Sequence, residues 1–229
     1  TVSDSKILFE VLRGHDANDS TSLPDEFFTG VRSLKRRVGV PRAFLKEGIE
    51  KDILAQFEET LRGLEKAGYS IVDVELPSLE YALAVYYIIN PAEVSTNLAR
   101  FDGIRYGLSV PAERIAEVYA KTRAKGFGPE TRRRILVGTF VLSAGYADAY
   151  YRKARAVREL IRADFTRVCN DVDVIALPTS PVPPWKFGEK ADPLAMYAAD
   201  IFTVPVNLAG VPAMSVPSGT VAREGKDLP

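Results

Sequence analysis

Between Arg37 and Leu76 the chain carries the pattern that most restricts its fold. Two short apolar runs, Val38-Gly-Val40 and Ile71 to Leu76, flank a stretch from about Glu50 to Lys66. In that stretch Ile53, Leu54, Phe57, Leu61 and Leu64 share one face at helical spacing, and Gly68 supplies the stop. Strands separated by a helix of this length cannot form a tight hairpin and are most simply parallel neighbours in one sheet. This predicts an α/β fold with a sheet flanked by helices. With 46% apolar residues among 229, the chain can bury a core of that kind.

The rest of the chain reads mainly as helix. The first dozen residues predict a helix capped by Ser3 or Asp4, with Ile7, Leu8, Val11 and Leu12 at helical spacing and Gly14 as its end. Asp16 to Ser22 is polar loop chemistry, ordered by Asp19 and Ser20. A helix is predicted over Leu79 to Ile89, before Asn90-Pro91, and another over Arg114 to Lys125, before the Gly126-Phe-Gly128-Pro129 break. A long helix from about Glu130 to Asp164 follows, with small residues at Gly138, Ala144 and Gly145 where a neighbour can approach, and a kink near Gly145. Val174 to Pro178 reads as a buried strand, Pro181 to Pro184 as a stiff loop, and Ala213 to Pro217 as another short strand. A strand so near Pro229 would leave a sheet edge open, which predicts a chain cut short.

Charge and composition exclude several function classes. Thirty basic residues balance thirty acidic ones, so the net charge does not favour a protein that grips nucleic acid by itself. One cysteine, Cys169, rules out an internal disulfide framework, and a reducing cytoplasm, or an organelle in a eukaryote, is the expected compartment. The longest apolar run, Ile135 to Leu142, is broken by Gly138 and Thr139 and falls far short of the roughly 20 residues of a membrane span. Ser3-Asp-Ser5-Lys6 matches a Ser-x-x-Lys pattern without its companion motifs and reads as coincidence. The single histidine, His15, lies in a polar loop and reads as solvated. One cysteine and one histidine leave only carboxylates for a metal, none at EF-hand spacing.

Two features point to a binding site instead. Arg132-Arg133-Arg134 opens a helix, where cations oppose the helix dipole, so the run reads either as a solvated basic face or as a place for a compensating anion, a carboxylate of the chain or a ligand. Arg134 is the first choice because it shares a face with Gly138 and Leu142, and an arginine fork suits a carboxylate. Asp200 enters an apolar Ile-Phe-Thr-Val stretch and reads equally as a ligand for an amine or as a helix cap. Together, an arginine and an aspartate in one pocket can hold the carboxylate and amino group of an amino acid.

Four blocks, spread in order along the chain, carry a resemblance. They are Leu12-Arg-Gly-His15-Asp16-Ala-Asn-Asp19-Ser20-Thr21-Ser22; Asn97 to Gly107, with Arg100-Phe101-Asp102-Gly103; Gly126-Phe-Gly128 through Gly138-Thr-Phe; and Asp200 through Asn207-Leu-Ala-Gly210-Val-Pro212. The chain resembles the A-subunit family of tRNA-dependent amidotransferases, a branch of the amidase signature proteins. The second block separates that branch from other amidase signature hydrolases.

The resemblance implies the amidase signature fold, a mixed sheet flanked by helices, of which residues 1–229 would be the C-terminal part of one domain, truncated at both ends. It implies that the full-length protein hydrolyses glutamine through a Ser-cis-Ser-Lys triad lying upstream of Thr1-Val-Ser-Asp4, so that no catalytic residue falls in this segment, which alone would be inactive. Ammonia would pass to the B subunit, which uses ATP and magnesium to activate Glu-tRNA(Gln), with a small C subunit bridging the two; this chain itself would hold no cofactor. The same resemblance assigns Arg134 to the glutamine carboxylate, Asp200 to its amino group and Tyr86 to the pocket lining, with Arg133 and Tyr87 as second choices. Tyr86 and Tyr87 also read as core aromatics beside Leu83 and Ile89. Arg100, Asp102 and Arg105 read as the polar lining of a turn near an ammonia exit or a subunit interface. The rival expectations are a hydrolase of small amides with the same fold and a non-catalytic scaffold.

Overall fold

The computed structural model describes residues 1–27, 34–46, 48–189 and 192–229. The chain divides into two compact units, Thr1–Glu75 with Val168–Ala191 and Pro212–Pro229, and Leu76–Arg167 with Asp192–Val211.

The first unit is built on the predicted strand–helix–strand pattern. Strand β1 (Arg37–Val40) is central, with β2 (Ser70–Asp73) and β3 (Val174–Ile175) on either side, all parallel. Helix α2 (Lys51–Lys66) buries Phe57 and Leu61, the face that the spacing marked. Gly39 sits where a side chain would press on Val74 and Val172. The carboxylate of Asp173 accepts from the backbone N–H of Lys35 (3.0 Å) and of Arg37 (2.9 Å), which clamps the start of β1 beside β3.

Three expectations for this unit need correction. Helix α1 (Val2–Leu12) forms, but its cap is Thr1, in a capping box with Asp4, because Thr1 lies three residues before that carboxylate. Strand β3 ends at Ile175 and Val174 is 56% exposed; Ala176 still donates to the Gly39 carbonyl, but Pro178 has no N–H with which to continue the ladder. Ala213 to Pro217 forms no strand and is exposed. Its neighbour Ser218 instead gives its carbonyl to Gln56 (2.5 Å) and Thr60 (3.2 Å) of α2. A hairpin follows, β4 (Val221–Arg223) with β5 (Lys226–Leu228), turned by Glu224 and Gly225, both at positive φ (51° and 74°) as a two-residue hairpin turn requires.

The second unit is helical. Helix α3 (Ala82–Asn97) does not stop before Pro91 but runs through it, burying Val85, Ile89, Pro91 and Ala92. Proline removes one backbone bond from a helix interior; here the burial of that face outweighs the loss. Helix α4 (Ile115–Gly126) ends at the expected break, and α5 (Pro129–Leu142) begins with Pro129 in its first turn. The long helix predicted onward from Glu130 is broken rather than kinked. Gly145, at φ +83°, takes a conformation no right-handed helix contains; a π-helical turn over Ala147–Arg152 then leads into α6 (Lys153–Asp171), whose residues from Val168 onward belong to the first unit. Two short helices, α7 (Pro193–Ala198) and α8 (Val204–Ala209), complete the order.

Gly138 is the close-approach residue the sequence marked, and its neighbour is α3. A β-carbon there would lie 1.9 Å from the Pro91 carbonyl oxygen and 2.8 Å from the Ser95 β-carbon. Gly138→Ala gains helix propensity but forces the helices apart. Overpacking of this kind costs about 1–3 kcal/mol, more than the ~1 kcal/mol that the propensity returns. Urea unfolding should therefore show a lower midpoint for Gly138→Ala, whereas a midpoint raised by the propensity gain would mean that the two helices are not in contact there.

Candidate amino acid site

The site candidates gather in the second unit, around Tyr87 on α3. Its hydroxyl donates to Asp200 Oδ2 at 3.1 Å, and its ring stacks on Tyr197 with centroids 4.2 Å apart and planes 30° apart. The charge of Arg134 also acts on Tyr87. Thus, of the two residues expected to hold the ends of an amino acid, Asp200 bonds this half-buried tyrosine directly and Arg134 is joined to it through Glu130 and Tyr197. Burial, reinforced by the Asp200 carboxylate, pushes the Tyr87 hydroxyl well above its ordinary range, so it stays protonated and remains a donor.

Asp200 is not a side-chain helix cap. Its carbonyl accepts from Thr203 and Val204 at the entry to α8, while its carboxylate faces Tyr87. Of the tyrosine pair, the structure brings Tyr87 to Asp200. Tyr86 meets Tyr87 edge-on at 5.3 Å and contributes to a neighbouring cleft of about 330 Å³ with Asn90, Glu93, Arg158 and Asn207. Neither tyrosine is a fully buried core ring.

The anion that the three arginines call for is Glu130, in the first turn of α5. Its Oε1 accepts from Arg134 Nε at 3.0 Å and from the Tyr197 hydroxyl at 2.6 Å, and its Oε2 accepts from Arg133 Nη1. Arg132 turns away and donates to the Ala124 carbonyl. Arg133 is exposed and Arg134 half-buried, the face relation inferred from Gly138. Burial works against the charges of Glu130 and Arg134, but hydrogen bonds and charge pairing prevail: the Tyr197 hydroxyl and then Arg134 and Arg133 hold the Glu130 carboxyl below its usual range, and Glu130 holds the Arg134 guanidinium above its own. Glu130 and Tyr197 were missed by the sequence reading. Glu130 was detectable, one turn before Arg134 at the spacing of a helical ion pair; nothing marked Tyr197.

Among the other residues singled out, Asp102 holds its own turn by accepting from the Ile104 N–H at 2.9 Å, and Arg100 donates to the Asn97 carbonyl. Asp19 orders its loop through the N–H and hydroxyl of Thr21. His15 is exposed, 3.3 Å from Ser22 Oγ. Among the described residues, no group of three or more His, Cys, Asp or Glu side chains comes together to hold a metal, and no helix is long and apolar enough to cross a membrane.

The ionised form of Glu130 is the one the fold favours, so its contribution to stability is complete above the ordinary pKa of 4.5 and is lost as pH falls through its lower folded value. The melting-temperature difference between wild type and Glu130→Gln should accordingly be constant at neutral pH and shrink below about pH 4.5. A difference that grows on acidification would contradict the ion pairs.

The sequence and the fold both recur in known proteins. The A subunit of glutamyl-tRNA(Gln) amidotransferase from Myxococcus xanthus (strain DK1622) is 51% identical over 228 residues, which cover 96% of this chain and 46% of the relative. The protein of the same name from Synechococcus sp. (strain JA-3-3Ab) is 49% identical, covering 96% of this chain and 44% of the relative. The chain spans about half the length of the curated relatives it matches. In three dimensions it is similar to the crystal structure of the A subunit of glutamyl-tRNA(Gln) amidotransferase from Thermotoga maritima, with a TM-score of 0.70 at 36% identity, covering all of this chain and 46% of that one. A bacterial aryl acylamidase of the amidase signature enzymes shares the fold, with a TM-score of 0.67 at 18% identity, over 100% of this chain and 46% of that one. The amidase family model matches residues 1–229, and the chain belongs to the amidase family.

Proposed function

We propose that the chain is the substrate-recognition part of the A subunit of a glutamyl-tRNA(Gln) amidotransferase, and that the full subunit releases ammonia from glutamine. The observation that carries this reading is the series of contacts that gathers Arg134 and Asp200 into one site, from Arg134 to Glu130, Tyr197, Tyr87 and Asp200. Relatives at about half identity bearing that subunit's name support it.

In this reading glutamine binds by its amino acid head. Arg134 is bonded to Glu130 through Nε, and its two terminal nitrogens can fork around the α-carboxylate. Asp200 is bonded to Tyr87 through Oδ2 and has further lone pairs for the α-ammonium. Tyr87, kept protonated, fixes the Asp200 carboxylate, and Tyr86 lines the flank. The head group is thereby anchored and the side-chain amide projects to a nucleophile supplied by the part of the protein outside these residues. A serine hydroxyl adds to the amide carbonyl, the C–N bond breaks, and the nitrogen leaves as ammonia with the proton relayed to it; water then hydrolyses the ester to glutamate. The two compact units would be parts of one amidase signature domain. The B and C subunits would complete a cytoplasmic heterotrimer in which the former uses ATP with magnesium to activate Glu-tRNA(Gln), which the ammonia converts to Gln-tRNA(Gln).

The test is glutamine hydrolysis by the full-length protein with its B and C partners. Arg134→Ala and Asp200→Ala should each lower kcat/KM for glutamine by about 2 kcal/mol or more in transition-state stabilisation, while hydrolysis of an amide that lacks the amino acid head should survive. Unchanged glutamine turnover in both variants would remove the site assignment.

A further inference from the structure

Glu130 joins the two ends of the site. One oxygen, Oε1, accepts from Arg134 Nε at 3.0 Å and from the Tyr197 hydroxyl at 2.6 Å. Tyr197 in turn stacks on Tyr87 at 4.2 Å, and Tyr87 donates to Asp200 at 3.1 Å. A contiguous series of contacts therefore runs from the cation to the anion of the site, with one carboxylate oxygen at its branch point. Tyr197 lies only three residues before Asp200, and the Asp200 N–H donates to the Tyr197 carbonyl at 3.1 Å, so fixing the Tyr197 ring also fixes the turn that presents Asp200.

The direction in which Glu130 meets Arg134 matters. The contact uses Nε, along one edge of the guanidinium plane, and locks the plane's rotation while the terminal nitrogens remain able to make a bidentate contact. An arginine free to rotate would lose that orientation and with it much of the advantage of the fork. The pair is also half-exposed, with Glu130 43% and Arg134 32% accessible, and such ion pairs contribute little to stability. A carboxylate placed here has its larger effect on geometry.

We infer that Glu130 is a positioning residue for amino acid recognition: without touching the ligand, it aligns Arg134 for the carboxylate and, through the Tyr197 hydroxyl, aligns Tyr87 and Asp200 for the ammonium. This rests on the proposed glutamine site and adds to it a pair of specificity-determining residues, Glu130 and Tyr197, outside the groups that bind the head.

The experiment uses the full-length protein assembled with its partners and compares wild type, Glu130→Gln, Tyr197→Phe, the double variant, and Arg134→Ala as the control for the glutamine site itself. Glu130→Gln keeps the shape and removes the charge; Tyr197→Phe keeps the stack and removes one hydrogen bond. Melting curves that superimpose on wild type at pH 7 within a few degrees confirm that each is folded. Each single variant should raise KM for glutamine about tenfold, with kcat changed far less, and should leave KM for an amide lacking the amino acid head unchanged. Because both changes act through the same oxygen, the double variant should be little worse than the worse single one.

A KM unaltered in both singles, or effects that multiply in the double, would overturn the inference. A lower KM in Glu130→Gln would overturn it too, since Glu130 would then compete with the ligand carboxylate for Arg134. If Arg134→Ala itself leaves glutamine KM unchanged, the site reading fails first; if Arg134→Ala raises KM and the Glu130 and Tyr197 variants do not, only the positioning role fails.

Discussion

The contact on which the candidate site depends is the crossing of α3 and α5 at Gly138. With no side chain there, the α5 backbone comes against the Pro91 carbonyl of α3. Tyr87 lies one helical turn before Pro91, and Arg134 one turn before Gly138. The arginine and the tyrosine that carries Asp200 are thus both close along the chain to this contact, and Glu130 and Tyr197 join them. A larger residue at this point would push the helix pair apart, so the packing of the pair and the geometry of the candidate site share one constraint.

Electrostatics at the start of α5 follows from that placement. Three consecutive arginines near a helix N-terminus would be unfavourable with the dipole alone. Glu130 lies in the first turn, where a carboxylate suits the dipole, and it reaches both Arg133 and Arg134. Burial disfavours each charge singly, but the Tyr197 hydroxyl and the arginines hold Glu130 ionised and Glu130 holds Arg134 charged, which keeps a cation available in a half-buried place. Tyr87 is the complementary case: burial and a neighbouring carboxylate keep it neutral, so it serves as a donor rather than as an acid.

Local signals in the sequence were reliable where the chain obeys local chemistry and unreliable where tertiary contacts override it. Helix α2 and its two parallel strands were legible because the apolar period, the glycine stop and the crossover length all agree. Pro91 argued for a helix end, yet α3 continues because the face around Pro91 is buried. Gly145 was legible as a point of weakness but not as a full break, since its positive φ is chosen by the turn it makes. Strand β3 looked buried from its apolar run, and the exposed Val174 shows that apolar composition does not by itself choose a face.

By itself the amino-acid sequence determined the class of fold, the α2 crossover, the breaks around Gly126 and Pro129, and a short set of candidates in Arg134, Asp200 and the tyrosine pair. Those follow from periodicity, backbone restriction and the chemistry of single residue types, which act over a few positions. Only the tertiary structure decided that Tyr87 rather than Tyr86 meets Asp200, that Glu130 answers the arginines, and that Tyr197 connects the two. Residues separated by 67 and 113 positions meet in those bonds. Which of two adjacent tyrosines faces a distant carboxylate depends on how a helix is rotated against its neighbour, and that rotation is set by side-chain packing, with Gly138 as a point of close approach.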